Sequence, residues 1–265
     1  MGQNKLSSRE SPSASYSIKD VGAAPNELAA VGKLRVGVVF APAASTYFVV
    51  KRDDGEPCGV TVDLGRALAK AADVPVEFFA TPNSGELTDA VENELIDVAF
   101  VPIDDERRRR VAFGPAYFNA ESTCLVQGNS EFKSVLDLNR PEVRVAGISN
   151  TTTIRSAVRV LHLSTIMPVS SIGEAIDMLC SGRVDAVALS RDVLAAYQPR
   201  IVGSRLLDGS LHATGIAIAI PKGRPLALAY VRAFLDNAKA SGLIRRVFDL
   251  NGFEAEPVAP IDSAT

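Results

Sequence analysis

Four consecutive arginines, at positions 107 to 110, are the residues best suited by type to recognise an anion. A guanidinium group is a planar fork of N–H donors, which can hold both oxygens of a carboxylate at once. The same run is also typical of the solvated basic face of a short helix. Spacing alone therefore does not separate an arginine that binds a solute from one that only faces water.

A second anion-binding candidate is the segment Asn150-Thr151-Thr152-Thr153, which follows a predicted strand and opens a predicted helix. The first N–H groups of a helix have no partner within the helix, and the helix dipole favours negative charge at this end. Ser and Thr are also common helix caps that need no ligand. The segment is therefore either an anion site or a cap only.

Metal and cofactor chemistry is not indicated. Three cysteines (Cys58, Cys124, Cys180) and two histidines (His162, His212) lie at spacings that match no structural zinc site. At most one disulfide is possible, and we expect three small buried or half-buried side chains. The chain also lacks the GxSxG, P-loop, GxGxxG and HExxH motifs. We expect no cofactor and no metal.

Two similar series of elements are predicted to position these residues. In the first, residues 34 to 40, 74 to 79 and 96 to 101 have the short apolar or β-branched character of strands, with helices over 63 to 72 and from a Ser84 cap. In the second, strands are predicted over 143 to 148, near 166 and over 184 to 189, with helices over 152 to 160 and from Ser171. The segment NELIDVAFV (93 to 101) matches SGRVDAVAL (181 to 189), and KLRVGV matches EVRVAGI. The repeat predicts two α/β lobes, each a mostly parallel sheet flanked by helices.

Two further extended runs, residues 122 to 127 and 215 to 220, indicate that the chain crosses between the lobes twice, which makes a two-strand hinge. A last helix over 225 to 241, ended by Gly242, should pack back on the first lobe. The predicted domains are a flexible N-terminal arm (1 to 32), lobe 1 (33 to 121 and 215 to 252), lobe 2 (122 to 214) and a C-terminal tail (253 to 265).

Composition excludes some partners. The chain has 265 residues, 47% of them hydrophobic, with 28 basic and 31 acidic side chains and a net charge of −3. Such a chain has no net attraction to nucleic acid. No apolar run approaches the about 20 residues that cross a bilayer, so we expect no direct membrane insertion.

The order of four motifs resembles the extracytoplasmic solute-binding proteins of ABC importers, in the amino-acid-binding family: KLRVGV, GVTVDLGRALAKAADVPVEF, IDVAF…DDERRRRVAFGPAYF and SGRVDAVALSRDVL. The likeness covers about residues 33 to 252. It implies a type II periplasmic-binding-protein-like fold, a clamp whose two lobes close on a small solute by hinge motion. Fold alone does not fix the solute.

The resemblance distinguishes Arg107 from its neighbours. Arg107 stands six residues before Phe113, where the family's motif places the arginine that grips a carboxylate, whereas we expect Arg108 to Arg110 to face solvent. Asn150, Thr151 and Thr152 fall where relatives carry Gly-Thr-Thr or Gly-Ser-Thr in contact with that carboxylate. The resemblance thus implies that Arg107 and the helix start hold one carboxylate from both lobes.

The chain also departs from the family. Ser190 stands where relatives that bind α-amino acids carry the aspartate that pairs with the ligand's ammonium group. Relatives have a Ser-x-Ser/Thr stretch before the arginine, but this chain reads from Phe100 through Pro102 to Asp104 and is two residues shorter. Either Asp104 supplies the ammonium partner, or the ligand is a carboxylate without an amine, since a buried unpaired ammonium is costly.

Aromatic and apolar residues near the first strand are the remaining site candidates. Phe40 and Pro42 lie where relatives place a wall over the ligand side chain, although a core role for Phe40 is equally expected. Tyr47 is a weaker candidate of the same kind.

Three functions compete on this reading. The first is a non-catalytic carrier that delivers a small carboxylate or amino acid to the membrane subunits of an ABC importer. The second is a lyase similar to the cyclohexadienyl dehydratases, for which Asp104, Glu121 and Asp192 are the acids near the predicted cleft. The third is a ligand-sensing module. The carrier is favoured, because no catalytic motif surrounds these acids.

The compartment is left open by the sequence. The N-terminal residues lack the apolar stretch of a secretory signal. The protein is therefore expected to be extracytoplasmic if a signal segment was removed, and cytoplasmic otherwise.

Overall fold

The computed structural model describes residues 24 to 40 and 45 to 261 of the chain. Its elements follow a repeated α/β order around one mixed sheet. The first part of the chain forms α1 (Ala24–Leu28), β1 (Leu34–Phe40), β2 (Phe48–Lys51), β3 (Pro57–Cys58), α2 (Val60–Ala71), β4 (Val76–Thr81), α3 (Ser84–Glu92), β5 (Val98–Pro102) and α4 (Asp105–Arg110). The second part forms β6 (Val111–Val126), β7 (Arg144–Ile148), α5 (Thr152–Val160), β8 (Thr165–Val169), α6 (Ile172–Cys180), β9 (Ala186–Ser190) and α7 (Arg191–Tyr197). The chain then adds β10 (Arg205–Leu206), β11 (His212–Pro221), α8 (Pro225–Ala240) and α9 (Leu243–Leu250).

The two lobes are built on equivalent sets of parallel strands. In the first lobe β1 pairs in parallel with β4 and β5, and in the second lobe β7 pairs in parallel with β8 and β9. An antiparallel strand borders each set, β11 beside β5 and β6 beside β9. The predicted two-lobed α/β fold is therefore confirmed.

The lobes are joined by β6 and β11, which pair with each other along most of their lengths. Both strands are longer than the extended runs predicted at 122 to 127 and 215 to 220. The two predicted limits between the lobes, after residues 121 and 214, fall inside these strands and stay a prediction, because a continuous strand marks no boundary.

The repeat seen in the sequence is also a repeat of an ion pair. In the first lobe Arg35 donates from its backbone N–H, Nε and Nη2 to Asp97, at 2.9, 3.0 and 2.7 Å. In the second lobe Arg144 makes the same three contacts with Asp185, at 2.8, 3.2 and 3.1 Å. Each pair ties the start of a central strand to the start of its parallel neighbour.

Four local predictions need correction. The predicted N-terminal arm includes residues 24 to 28, which form α1, because Leu28 is buried in the core and the Glu27 carboxylate accepts the backbone N–H groups of Leu226 and Ala227 at the start of α8. The part of the arm before residue 24 lies outside the described residues. The cap of α3 is Asn83 rather than Ser84, since the Asn83 side chain accepts the N–H of Glu86.

The third correction concerns the end of the chain. The helix predicted over 225 to 241 is α8, and it ends as expected at Gly242, whose φ of 70° is the left-handed conformation that glycine adopts readily. It is not the last helix, because α9 follows directly and buries Ile244, Val247 and Phe248. All three cysteines are free, and Cys180 is exposed rather than half-buried.

Candidate functional site

A narrow cavity lies between the lobes, at the carboxyl ends of the parallel strands, where open α/β sheets bind ligands. Its volume is about 30 Å³, which is room for about one water molecule. The residues around it come from both lobes and from β6 and β11: Tyr47, Phe48, Asn83, Ser84, Pro102, Ala120, Ser122, Ile148, Thr151, Thr152, Thr153, Leu189, Ser190, His212 and Thr214.

Arg107 lies directly behind this wall and is fully buried, with 0% of its surface exposed. Within its own lobe, Nε donates to Thr88 Oγ1 at 3.0 Å, Nη2 to Ser84 Oγ at 2.9 Å and Nη1 to the Pro102 carbonyl at 3.1 Å. These three oxygens hold the plane of the guanidinium group. Ser84 and Thr88 are four residues apart on α3, so the helix turns both hydroxyls to one side.

The two remaining N–H groups of Arg107 cross to the second lobe. Nη1 donates to Thr152 Oγ1 at 2.6 Å, and Nη2 donates to the Asn150 carbonyl at 3.4 Å. Burial lowers the pKa of Arg107 to about 10, an effect that Asp104 opposes, so the group is cationic at neutral pH. The structure thus brings Arg107 and the start of α5 together. That they hold one carboxylate between them, as the resemblance implies, stays a prediction.

Asp104 shares this contact between the lobes. Its Oδ1 accepts the backbone N–H of Arg107 at 2.8 Å, which caps α4. Its Oδ2 accepts from Thr152 Oγ1 at 2.6 Å and from Arg155 of α5, and lies 3.6 Å from Arg107 Nη1. Burial favours a raised pKa, but these donors outweigh it and lower the pKa of Asp104 to about 2. Asp104 faces an outer groove rather than the narrow cavity.

The start of α5 presents three threonines to the site. Thr151 caps the helix by accepting the N–H of Ile154 at 3.2 Å, and Thr153 Oγ1 lies 2.9 Å from Ser122 Oγ. Asn150 precedes the cap with a φ of 59°, a left-handed conformation that Asn tolerates better than most residues. The turn before α5 therefore needs a residue that tolerates this conformation, and Asn150 is one.

Ser190 and His212 also line the cavity. Ser190 is 2% exposed, and its hydroxyl lies near that of Tyr47 but makes no hydrogen bond of ordinary geometry among the described residues. Neither ring nitrogen of His212 has one. Burial lowers the pKa of His212 below its ordinary value, and the nearby charges of Arg159 and Arg155 add to the effect, while Asp104 opposes it. The imidazole is therefore neutral at neutral pH.

Only some of the predicted aromatic and apolar site residues line the cavity. Pro102 and Tyr47 line the cavity. Phe100 does not, because it is buried in the core and packs edge-on against Tyr117 with ring centroids 5.9 Å apart. Phe40 is half-buried beneath Lys51, whose Nζ lies 4.9 Å from the ring centroid. Pro42 lies outside the described residues.

Sequence reasoning missed five side chains of this site. Ser84 was read only as a cap, and Thr88, Ser122, Arg155 and His212 carried no local signal. Their roles depend on approach between distant segments: Arg107 and Thr88 are 19 positions apart, and Arg155 and Asp104 are 51 apart. The four-residue spacing of Ser84 and Thr88 was the one pattern that could have indicated a polar helix face.

The three acids considered for a lyase are poorly placed for proton donation. Asp104, with its pKa lowered to about 2, is ionised at neutral pH. Glu121 is exposed and pairs with Arg191 at 3.1 Å, and Asp192 lines a separate pocket with Glu121. Within residues 24 to 40 and 45 to 261, no group of three His, Cys, Asp or Glu side chains is arranged to hold a metal.

A two-lobed α/β fold with a polar site between its lobes defines a binding protein of the type II periplasmic class. The family described as bacterial extracellular solute-binding proteins, family 3, matches residues 37 to 250. The chain belongs to this family. No described helix is long and apolar enough to cross a membrane.

Two of the named relatives are amino-acid-binding proteins. An L-arginine-binding protein of Pseudomonas aeruginosa is 28% identical over 229 residues, which span 82% of this chain and 86% of the relative. The ABC transporter glutamine-binding protein GlnH of Bacillus subtilis is 24% identical over 198 residues, or 73% of this chain and 72% of the relative.

A solved structure bears on the lyase alternative. An ancestral amino-acid-binding protein, a precursor of cyclohexadienyl dehydratase, superposes with a TM-score of 0.74 at 30% identity and covers 86% of this chain and 98% of its own. This neighbour of the dehydratase is itself a binding protein. The chain's own family is likewise one of solute-binding proteins rather than a class of enzymes.

Proposed function

We propose that this chain is the substrate-binding component of an ABC-type importer and clamps a small carboxylate-bearing solute, an amino acid or a related organic acid, between its lobes. The observation that carries the proposal is the position of Arg107. Its charge is buried behind the interlobe cavity, held in one plane by first-lobe oxygens, and turned toward the start of α5 in the second lobe.

The contacts of Arg107 indicate how a carboxylate would be held. The bonds to Ser84, Thr88 and Pro102 stay within the first lobe, whereas those to Thr152 and Asn150 come from the second. A carboxylate between the lobes replaces these two oxygens and receives two parallel N–H bonds, the arrangement that arginine forms best. The same carboxylate accepts from the free N–H groups at the start of α5, so one ligand group bridges both lobes.

Binding in this scheme requires the lobes to separate first. The cavity of about 30 Å³ is smaller than any amino acid, whereas sites for small ligands measure about 300 to 1,000 Å³. The strands β6 and β11 are the paired connections about which the lobes would rotate. Closure then exchanges the contacts of Arg107 and Thr152 for contacts with the solute.

The proposed partners and location follow from the family. The membrane subunits of an importer would receive the solute, and the chain would act outside the cytoplasm, as the family description "extracellular" indicates. No nucleic acid and no direct membrane insertion are part of the proposal.

A thermal-shift screen against amino acids, oxo acids, hydroxy acids and dicarboxylates tests the binding function. A ligand at 100 times its dissociation constant adds about 2.7 kcal/mol to the free energy of unfolding, which is readily seen as a raised midpoint. We expect a carboxylate to raise the midpoint and to be recovered with its mass unchanged after incubation. A hit that is consumed would contradict a carrier. The importer role is tested by uptake of that solute in cells that lack and then regain this chain.

A further inference from the structure

The wall of the interlobe cavity offers hydrogen bonds but no negative charge. Among the described residues it contains hydroxyls, the Asn83 amide, the His212 imidazole and apolar groups, and neither Asp nor Glu. An ammonium or guanidinium group that leaves water for such a wall loses its hydration and gains no counter-charge, which is unfavourable. The wall is thus suited to a solute without a cationic group.

The nearest carboxylates are already engaged. Both oxygens of Asp104 accept hydrogen bonds, one from the Arg107 backbone and the other from Thr152 and Arg155. Asp192 uses Oδ1 for the N–H of Val193, has Oδ2 3.5 Å from Thr46 Oγ1, and lines a different pocket, although its charge adds to the effect of burial in raising the pKa of Tyr47 in the wall. Neither acid lines the cavity itself.

Two side chains of the wall, Ser190 and His212, indicate which solute groups could bind there. The buried hydroxyl of Ser190 can donate one hydrogen bond and accept others, and the neutral imidazole of His212 offers one donor and one acceptor. A hydroxyl or carbonyl oxygen matches both. An ammonium group could also donate to both, but it brings a positive charge for which the wall holds no Asp or Glu.

The positive charges near the cavity lie behind its wall and on α5. Arg107 lies behind the wall, and Arg155 and Arg159 of α5 both act on His212. Asp104 opposes them at His212, and the charge of Asp192 acts on Tyr47 of the wall. Arg155 pairs with Asp104 and Glu106, whereas among the described residues Arg159 donates only to the uncharged Ser156 hydroxyl. The charges of Arg107 and Arg159 stabilise a carboxylate bound at the start of α5.

We propose that the solute is a carboxylic acid without a cationic group, a 2-oxo or 2-hydroxy acid, whose carboxylate is held by Arg107 and the start of α5 and whose second oxygen function contacts Ser190 and His212. This inference rests on the proposed carboxylate-binding function. It separates the chain from the relatives that are named for arginine and glutamine.

Calorimetric titration with matched solutes tests the inference. Each set keeps one carbon skeleton and changes only C2: leucine with 2-oxoisocaproate and 2-hydroxyisocaproate, and glutamate with 2-oxoglutarate and 2-hydroxyglutarate, with L-arginine added as the cationic probe. We expect an oxo or hydroxy acid to bind at least about tenfold tighter than its amino counterpart, and L-arginine not to bind. In whichever set binds more tightly, an amino acid that binds better than its oxo and hydroxy counterparts overturns the inference. Binding of L-arginine overturns it as well.

A substitution at Ser190 tests the reason for this preference. Ser190 is the N-cap of α7, a position where Asp and Asn are both favoured, so Ser190→Asp and Ser190→Asn should fold. The two variants have nearly the same side-chain volume, and only the first adds a negative charge to the cavity. We expect Ser190→Asp to shift the preference at least about tenfold toward the amino member of each set, and Ser190→Asn to leave the order unchanged.

The outcomes distinguish the inferred class of solute from the proposed carboxylate-binding function. Identical shifts in Ser190→Asp and Ser190→Asn would contradict the missing charge as the basis of selectivity. Binding of amino acids alone by the wild-type chain overturns the inference and leaves the carboxylate-binding function standing. No binding of any carboxylate by the folded wild-type chain overturns both.

Discussion

Gly85 of α3 and Asn150 of the second lobe lie so close that a Cβ on Gly85 would be 2.7 Å from the Cβ of Asn150 and 3.0 Å from its carbonyl oxygen. Real Cβ atoms do not approach that closely, so a side chain at position 85 would have to push the lobes apart. The same Asn150 carbonyl accepts a hydrogen bond from Arg107. Close approach of the lobes and the contacts of the buried arginine are therefore coupled.

Substitution of Gly85 by Ala should weaken solute binding without weakening the fold. Overpacking typically costs about 1 to 3 kcal/mol, and here the cost falls on the closed arrangement. Within α3, Ala is preferred to Gly by up to about 1 kcal/mol. We expect at least about a tenfold rise in the dissociation constant, measured by calorimetry, with a thermal midpoint equal to or above that of the wild type without ligand.

The control is Gly173→Ala. Gly173 is the second residue of α6, as Gly85 is of α3, but the nearest atom to an added Cβ is Ser171 Oγ at 3.9 Å. This variant should keep the wild-type affinity. Equal affinities for the two alanine variants would show that closure does not depend on the contact of Gly85 with Asn150.

Arg107→Lys should reduce carboxylate affinity by about a hundredfold or more. A lysine ammonium keeps the charge, but it cannot hold the plane defined by Thr88, Ser84 and Pro102 or offer two parallel N–H bonds. The measurement is a calorimetric titration at a temperature where the variant is folded. The buried hydroxyls that lose their donor predict a lower thermal midpoint as well.

Arg108→Lys is the matched control, because Arg108 is the exposed neighbour in the same run. Its affinity and thermal midpoint should equal those of the wild type. Similar losses in both variants would point to the overall charge of α4, and would contradict the special role of Arg107.

Asp104 should stabilise the protein at neutral pH and lose this effect in acid. Its pKa is about 2 in the folded chain and near 3.8 when unfolded, so folding favours the ionised form above the higher value. We expect Asp104→Asn to lower the free energy of unfolding by about 1 to 2 kcal/mol at pH 7, and the difference to fall to about half by pH 3. Urea unfolding at a series of pH values measures it. Asp105→Asn, at the exposed next position, should show a smaller and flatter difference; a constant cost for Asp104→Asn would contradict the linkage.

The sequence predicted the architecture better than the site. Strands can be recognised from neighbouring residues, whereas the site is formed by residues that are far apart in the chain. Apolar periodicity located the strands that became β1, β5, β7 and β9, since each buries its own side chains in the sheet. The resemblance led to Arg107 and to the threonines of α5. It could not indicate that Ser84 and Thr88 hold the guanidinium group, or that His212 and Ser190 line the same cavity, because these arrangements form only when distant segments pack.

The position of Phe100, away from the cavity, has a related cause. Phe100 and Pro102 are on one strand, and both were predicted from the sequence to be part of the site. Phe100 packs against Tyr117 in the core, whereas Pro102, at the end of β5, reaches the cavity. Whether a residue at the end of a buried strand faces core or cleft depends on the tertiary position of that strand end, which a local pattern does not specify.

The repeated ion pairs provide an internally matched test of burial. Arg35 with Asp97 and Arg144 with Asp185 have the same pattern of contacts, but the Asp97 side chain is 0% exposed and the Asp185 side chain is 32% exposed. Removing one partner of a buried pair leaves an uncompensated charge and costs about 3 to 5 kcal/mol, whereas an exposed pair contributes about 0 to 1 kcal/mol. Asp97→Ala should therefore destabilise the chain by about 2 kcal/mol or more beyond Asp185→Ala, measured by urea unfolding. Asp97 also lies 3.5 Å from Arg224 Nη1, so the first variant removes one of the two carboxylates that pair with Arg224. Equal losses would mean that solvent exposure does not set the strength of these pairs.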